Sequence, residues 1–370
     1  RFREGVLSLT RQKKTGNVVG LDIEAGSIAA TEVRSNGTVE VAGSAIGPLA
    51  PGAFHEGEVL DGDSLAESLK SLFAEHKLSK RVRLGVGNQR VVVRTLRLPA
   101  IEDRKELEAA IRFQAQEQMP MPLDQAVLEH QVVGGVAAEE GSAPQLDVVV
   151  VAARRDMVSS FLEPLRRAGL EPVGVDLSAF AMIRALADAA EAGAVEAADD
   201  GEIGQRPAGA VLYCNLADVT NLAVARGRSC LFTRVSYAGL EPIANRLASA
   251  RGLDVETAMQ WLGHVGLEQP VEEIEGDPET VAESRRSLEE GVSSLMDELR
   301  LSLDYYGAQE AAVPVERIVL AGPGSAIAGL AAQMESLGLP IAIARPSALA
   351  GFDDAAAARL TLPYGLALES

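Results

Sequence analysis

Apolar residues recur along this chain at two spacings, and the alternation between them predicts an α/β protein. Residues 17–23 (NVVGLDI) form a short apolar run that meets the turn Glu24-Ala25-Gly26-Ser27; residues 28–33 follow as a second strand and 38–42 as a third. Leu65, Leu69 and Leu72 then share one face of a helix over 64–75. Residues 82–87 and 90–98 read as strands parted at Gly87-Asn88. A helix over 103–119 has Leu107, Ala110, Ile111 and Phe113 as its apolar positions. It stops at Met119-Pro120-Met121-Pro122, because proline supplies no N–H to the ladder. Strands over 127–133 and 146–152, a helix over 156–168, a short strand over 172–176 and a helix over 178–190 follow.

Residues 191–209 are polar, alanine-rich and glycine-containing, and read as a junction. Beyond them the opening pattern returns, with strands over 210–215, 220–225 and 229–235. Residues 239–306 predict helix, broken by an acidic surface loop over 268–283 that has no Lys or Arg. Its last part, 284–306, is amphipathic, with Leu288, Val292, Leu295, Met296, Leu299 and Leu303 at three- and four-residue spacing. A strand over 315–321 runs into Gly322-Pro323-Gly324, another covers 339–344, and the Ala-rich segment 354–368 is placed to return to the first half. Two strand–turn–strand hairpins at equivalent places predict a duplicated α/β unit.

Composition narrows the class. A chain of 370 residues suggests two or three domains, and 47% hydrophobic with 24% charged residues excludes a disordered or collagen-like chain. The longest clean apolar run, 148–153, is far short of the ~20 residues a spanning helix needs. No signal-peptide pattern opens the chain, although it begins at Arg1, and the reading is a cytosolic protein. Cys214 and Cys230 cannot build a disulfide framework or a zinc site by themselves. With 53 acidic against 34 basic side chains the formal charge is −19, which argues against nucleic acid as a partner. Locally, Arg1, Arg3, Arg11, Lys13 and Lys14 face only Glu4. That suits an anionic membrane surface or an acidic partner, with a solvated tail as the simpler expectation. His55, His76, His130 and His264 are scattered without metal spacing, and no Ser-His-Asp, Cys-His or paired-carboxylate arrangement stands out, so no catalytic residue is assigned.

In folds built from two such halves the hairpins face each other across a cleft. Their turns offer N–H groups to phosphates, an Asp ending the first strand holds Mg²⁺ through water, and a hydroxyl donates to a phosphate oxygen. Here the first hairpin supplies Asp22, Gly26 and Ser27, and the second Asn215, Ala217 and Thr220. Gly322, Pro323, Gly324 and Ser325 form a strand-to-helix turn against which an adenine or ribose can lie. A nucleotide with Mg²⁺ is one candidate ligand of such a cleft, with Asp22 as the metal candidate.

Three segments carry a family resemblance: 106–133 (ELEAAIRFQAQEQMPMPLDQAVLEHQVV), 148–186 (VVVVAARRDMVSSFLEPLRRAGLEPVGVDLSAFAMIRAL) and 298–309 (ELRLSLDYYGAQ). From about residue 17 to 370 the chain resembles the PilM-type type IV pilus assembly proteins of the actin/FtsA-like ATPase superfamily. The resemblance implies a duplicated actin-like (ribonuclease H-like) two-lobed α/β fold with an inserted 1C (SHS2-type) module. It divides the chain into a basic tail (1–16), subdomain 1A (17–88 and 170–190), 1C (89–169), a junction (191–208), 2A (209–238 and 307–353), 2B (239–306) and a C-terminal segment (354–370) returning to 1A. It also implies a scaffold at the cytoplasmic face of the inner membrane. Such a scaffold binds the N-terminal cytoplasmic tail of a bitopic PilN-like protein in a groove between 1A and 1C, and so links the pilus motor ATPases to the periplasmic apparatus. Arg94, Leu96, Leu98, Ile111, Phe113 and Gln114 are the groove candidates, with simple packing of the 1C core as the alternative for each.

The chain departs from the family pattern in its hairpins. Members usually carry Gly at Glu24 and Lys at Ala29, and Asp and Gly at Asn215 and Ala217. A carboxylate at Glu24 repels phosphates by ~1–4 kcal/mol, Ala29 removes a cation, and Asn215 can neither act as a base nor bring full charge to Mg²⁺. The departures predict impaired hydrolysis and count against tight nucleotide binding; ATP would be held mainly by Gly322, Gly324 and Ser325. Two other readings are an active ATPase or small-molecule kinase, against which the weakened hairpins count, and an FtsA-like polymerising protein. The latter expects an amphipathic membrane-binding tail, where this chain ends LPYGLALES without a basic face.

Overall fold

The computed structural model describes residues 17–35, 39–136, 144–197, 209–309 and 312–368. The basic stretch over 1–16 and most of the expected junction lie outside the described residues.

The first lobe opens with an antiparallel meander, β1 (Val18–Glu24), β2 (Ser27–Ser35) and β3 (Val39–Pro48). A two-rung ribbon, β4 (Phe54–His55) and β5 (Glu58–Val59), leads into α1 (Gly62–Glu75), where the Asp61 carboxylate accepts from the Asp63 and Ser64 N–H groups. β6 (Arg81–Val86) returns parallel to β1. The chain then leaves to build a separate sheet ordered β7-β9-β8 from β7 (Val91–Pro99), β8 (Ala126–Val136) and β9 (Gln145–Arg154), with α2 (Arg104–Gln118) on one face. It comes back through α3 (Arg155–Arg167), β10 (Glu171–Leu177) parallel to β6, and α4 (Ser178–Ala197). α3 packs in the first lobe's core with α1, not with α2.

The second lobe repeats the plan. β11 (Ala210–Leu216), β12 (Thr220–Arg226) and β13 (Ser229–Ser236) form the meander, followed by α5 (Leu240–Arg251), α6 (Val255–Val265) and α7 (Pro278–Gly307). Then come β14 (Val315–Ala321), α8 (Leu330–Met334), β15 (Ile341–Ile343) and α9 (Asp354–Ala367). The two five-stranded sheets have matching orders, β3-β2-β1-β6-β10 and β13-β12-β11-β14-β15, so the duplication expected from the sequence is present in the fold.

Period-two alternation explains the layers. On β1, Val19, Leu21 and Ile23 join the core with α1 and α3. On its opposite face Gly20 admits the backbone of α9, where a Cβ would lie 1.8 Å from the Pro363 carbonyl oxygen. On β11, Leu212, Cys214 and Leu216 join the core with α5 and α7, whereas Val211 and Tyr213 share a cluster with α4 and α9. α4 and α9 are therefore the middle layer, between the sheets. Arg83 secures the end of α9, its Nη1 lying 2.9 Å from the Leu366 carbonyl and 2.5 Å from that of Leu368.

Three expectations are corrected. α4 continues to Ala197 through a stretch rich in the strong helix formers Ala and Glu. The acidic loop ends sooner than 283, because Asp277 caps α7 on the Thr280 N–H and Pro278 occupies its first position, where a missing N–H costs nothing. Finally, Gly322-Pro323-Gly324 does not open a helix: a 3₁₀ turn over Pro323–Ala326 follows, and Gly329, at φ 79°, separates it from the five-residue α8.

Candidate functional site: the cleft between the lobes

The β1–β2 and β11–β12 turns meet tip to tip. The Ala25 N–H donates to Asp218 Oδ2 across the cleft. Between the tips lies Arg359, carried in from α9 and only 8% exposed. Its Nη1 is 2.8 Å from Asp22 Oδ2 and 2.8 Å from Glu24 Oε1, and its Nε and Nη2 lie 3.2 and 3.0 Å from Ser27 Oγ. One guanidinium thus faces three carboxylates. Burial raises Glu24 well above the usual carboxylate range, with Arg359 opposing and Asp218 and Asp22 adding to the rise. Burial likewise pushes Asp218 up to about 7, against the Ala25 hydrogen bond and Arg359.

A second bridge joins the lobes at His55 on β4, whose Nδ1 is 2.7 Å from Oε1 of Glu241 in the first turn of α5. That carboxylate raises the imidazole pKa chiefly through the hydrogen bond. A third contact is steric: a Cβ at Gly87 would lie 2.4 Å from Asn221 Oδ1.

The expected nucleotide residues converge here, but their polar groups are engaged. Asp22 and Ser27 are held by Arg359, Thr220 Oγ1 donates to the Ala238 carbonyl at 2.6 Å, and Ser325 Oγ to that of Gly322 at 2.7 Å. Gly26 supplies the positive φ, 82°, of the first turn. Gly322 and Gly324 abut the end of β11: Cβ atoms there would lie 2.7 Å from Asn215 Oδ1 and 2.4 Å from the Leu216 side chain, and Pro323 opens the turn between them. Ala217 is buried at the second tip. The cavity left among Asp22, Glu24, Asn215, Asp218 and Asn221 measures about 20 Å³. Asn215 Nδ2 and Asn221 Oδ1 are buried without partners and line it, a donor and an acceptor matched to one water molecule. These residues do not fit ATP with Mg²⁺: the metal candidate Asp22 is paired with Arg359, and Glu24 and Asp218 add buried carboxylates at the two turns expected to hold phosphates. Among the described residues no group of three His, Cys, Asp or Glu side chains is arranged to hold a metal ion.

Sequence reasoning missed Arg359, Asp218, His55 and Glu241. Asp218 at a hairpin tip was a readable signal. Arg359 was not, since it lies more than 330 residues from its partners.

The six groove candidates separate. Leu96, Leu98 and Ile111 pack in the core between the three-stranded sheet and α2. Phe113 stands 69% exposed on α2, and Gln114 beside it has a buried Oε1 without a partner. Arg94 lines a different groove of about 220 Å³, walled by residues 91–94 of β7, Leu177 and Ala179 at the β10–α4 corner, and residues 233–235 of β13. β7 and β13 are each the end strand of their own sheet. Gln89 Nε2 spans the groove's end to the Val235 carbonyl at 3.2 Å.

The family described as type IV pilus assembly protein PilM matches residues 20–368. A solved PilM-PilN type IV pilus biogenesis complex is similar to this chain with a TM-score of 0.74 and 26% identity, covering 95% of this chain and 97% of that one. The ethanolamine utilization protein EutJ from Carboxydothermus hydrogenoformans shares the fold, with a TM-score of 0.53 and 13% identity over 96% of this chain and 90% of that one.

Proposed function

This chain belongs to the PilM family of type IV pilus assembly proteins, and we propose that in pilus assembly it is a scaffold that seats the N-terminal cytoplasmic tail of a PilN-like inner-membrane protein in the groove between β7, the β10–α4 corner and β13. The observation that carries this reading is the groove itself. Two of its walls are edge strands, so an extended segment can pair with a backbone edge while alternate side chains enter apolar pockets. Val91, Val93, Leu177 and Ala179 offer the apolar surface, and Arg94 favours acceptor or acidic groups on the tail. In this reading β7–β9 with α2 is the 1C insertion, α5–α7 are subdomain 2B, and the protein reaches the cytoplasmic face of the inner membrane through its partner. From there it links the partner to the pilus motor ATPases. ATP turnover has no part in it, and phosphate release is expected at background; a rate of ~1 s⁻¹ or more would favour the enzyme reading instead.

The test is a fluorescence-anisotropy titration of the full chain into a labelled synthetic peptide of the partner's tail. Saturable binding is expected. Arg94→Glu should weaken it at least about tenfold, ~1.4 kcal/mol, while Phe113→Ala on α2 leaves it unchanged. Absence of saturable binding, or loss with Phe113→Ala but not with Arg94→Glu, overturns the proposed seat.

A further inference from the structure

We propose that this chain closes its inter-lobe cleft with its own side chains, so that lobe closure needs no nucleotide: Arg359 stands in for the cation and the Asp218 carboxylate for the phosphate. This goes beyond the partner reading and does not depend on it.

The substitution is visible group by group. A tight-turn N–H of the kind that cradles phosphate, that of Ala25, already donates to an anion, and that anion belongs to the opposite hairpin. Asp22, near the end of β1, is paired with a guanidinium. Asp22 is the register partner of Ala29 on β2, the position at which the resemblance expects a lysine; Arg359 brings a positive charge to the same carboxylate from another element. Ser27, Thr220 and Ser325 all have their hydroxyls engaged inside the protein.

Arg359 cannot withdraw as an exposed side chain would. Its helix is pressed against β1 at Gly20 and against α4 at Gly365, where Cβ atoms would fall 1.8 Å from the Pro363 oxygen and 2.0 Å from the Ala181 oxygen. To enter, a triphosphate would have to displace Asp218 from the Ala25 N–H and part Arg359 from Glu24, while adding negative charge to three buried carboxylates. The closed arrangement, by contrast, already has its inter-lobe contacts in place. It is held at the hairpin tips, at His55–Glu241 and at Gly87–Asn221.

Hydrogen exchange read by mass spectrometry on the full chain tests this. Amides of residues 24–28 and 216–221 are expected to be protected without nucleotide and unchanged by millimolar Mg–ATP. Asp218→Ala removes the inter-lobe acceptor of the Ala25 N–H and should speed exchange at both hairpins by about tenfold or more. Arg359→Met should do the same, and if it fails to fold Asp218→Ala decides alone. Arg345→Ala, which removes an exposed pair with Asp354, should leave the hairpins unchanged. Rapid hairpin exchange in the nucleotide-free wild type, protection that appears only on adding Mg–ATP, or Asp218→Ala exchange equal to wild type would each overturn the proposal.

Discussion

His55 stands half in solvent, yet its ring nitrogen reaches a carboxylate of the other lobe that is almost wholly buried. The hydrogen bond to Glu241 is the main cause of its raised pKa; the charges of Glu241, Glu56 and Asp218 add to it, and burial opposes it. A group whose folded pKa is raised contributes its stability in full below its unfolded value, about 6.5, and loses it as pH climbs through the folded value. The contact therefore weakens as pH rises past the ordinary imidazole range, and the effect on stability is small because the ring is solvent-screened. In an NMR titration the His55 ring should show a midpoint higher in wild type than in Glu241→Gln; equal midpoints would refute the pairing. Residues of this kind are hard to read from sequence. A lone histidine without metal spacing looks like a surface residue, and its partner lies 186 positions away. The same distance problem hid Arg359, whereas Asp22 and Ser27 were legible because a strand followed by a tight turn fixes their place locally.

α9 shows why whole elements differ in legibility. The apolar stripes of α1 and α7 follow a helical period because each has one solvent-facing side, and the strands show their alternation because each sheet face meets a different core. α9 has no such stripe. It lies between the two sheets with nearly every residue buried, and its alanines and glycine match close approach, not a hydrophobic period. Its return to the first half was predicted, but its role as the carrier of the cleft's cation was not. Close packing gives a direct test. Gly365→Ala places a Cβ 2.0 Å from the Ala181 carbonyl, a rigid backbone atom, and overpacking of this sort costs ~1–3 kcal/mol. Gly263→Ala, in the exposed interior of α6 with no atom within 4 Å of the new Cβ, should instead stabilise the protein by ~0.5–1 kcal/mol. Thermal unfolding of the two variants should shift in opposite directions; shifts of the same sign would contradict the packing of α9 against α4.

Across the whole molecule, the latch and the groove share the same two bodies. β7 and the β10–α4 corner are continuous with the first lobe, β13 belongs to the second, and Gln89 spans them to Val235. An opening of the cleft that parts Ala25 from Asp218 also moves β13 relative to β7, so a peptide that needs both strands binds only the closed form. Linkage then fixes the sizes of two separate measurements. If Asp218→Ala leaves only a fraction of molecules closed, the apparent affinity for the tail peptide falls by that same fraction. Reciprocally, peptide at free concentration L must slow exchange at the variant's hairpin amides by 1 + L/Kd, with Kd that of the closed form. A loss of peptide affinity without restored protection would mean that Asp218→Ala damages the groove locally. Unchanged affinity in a variant whose hairpins exchange freely would mean that the tail contacts one lobe alone. Only weakened affinity together with peptide-dependent recovery of protection fits a scaffold whose partner seat is held in shape by an ion-paired cleft.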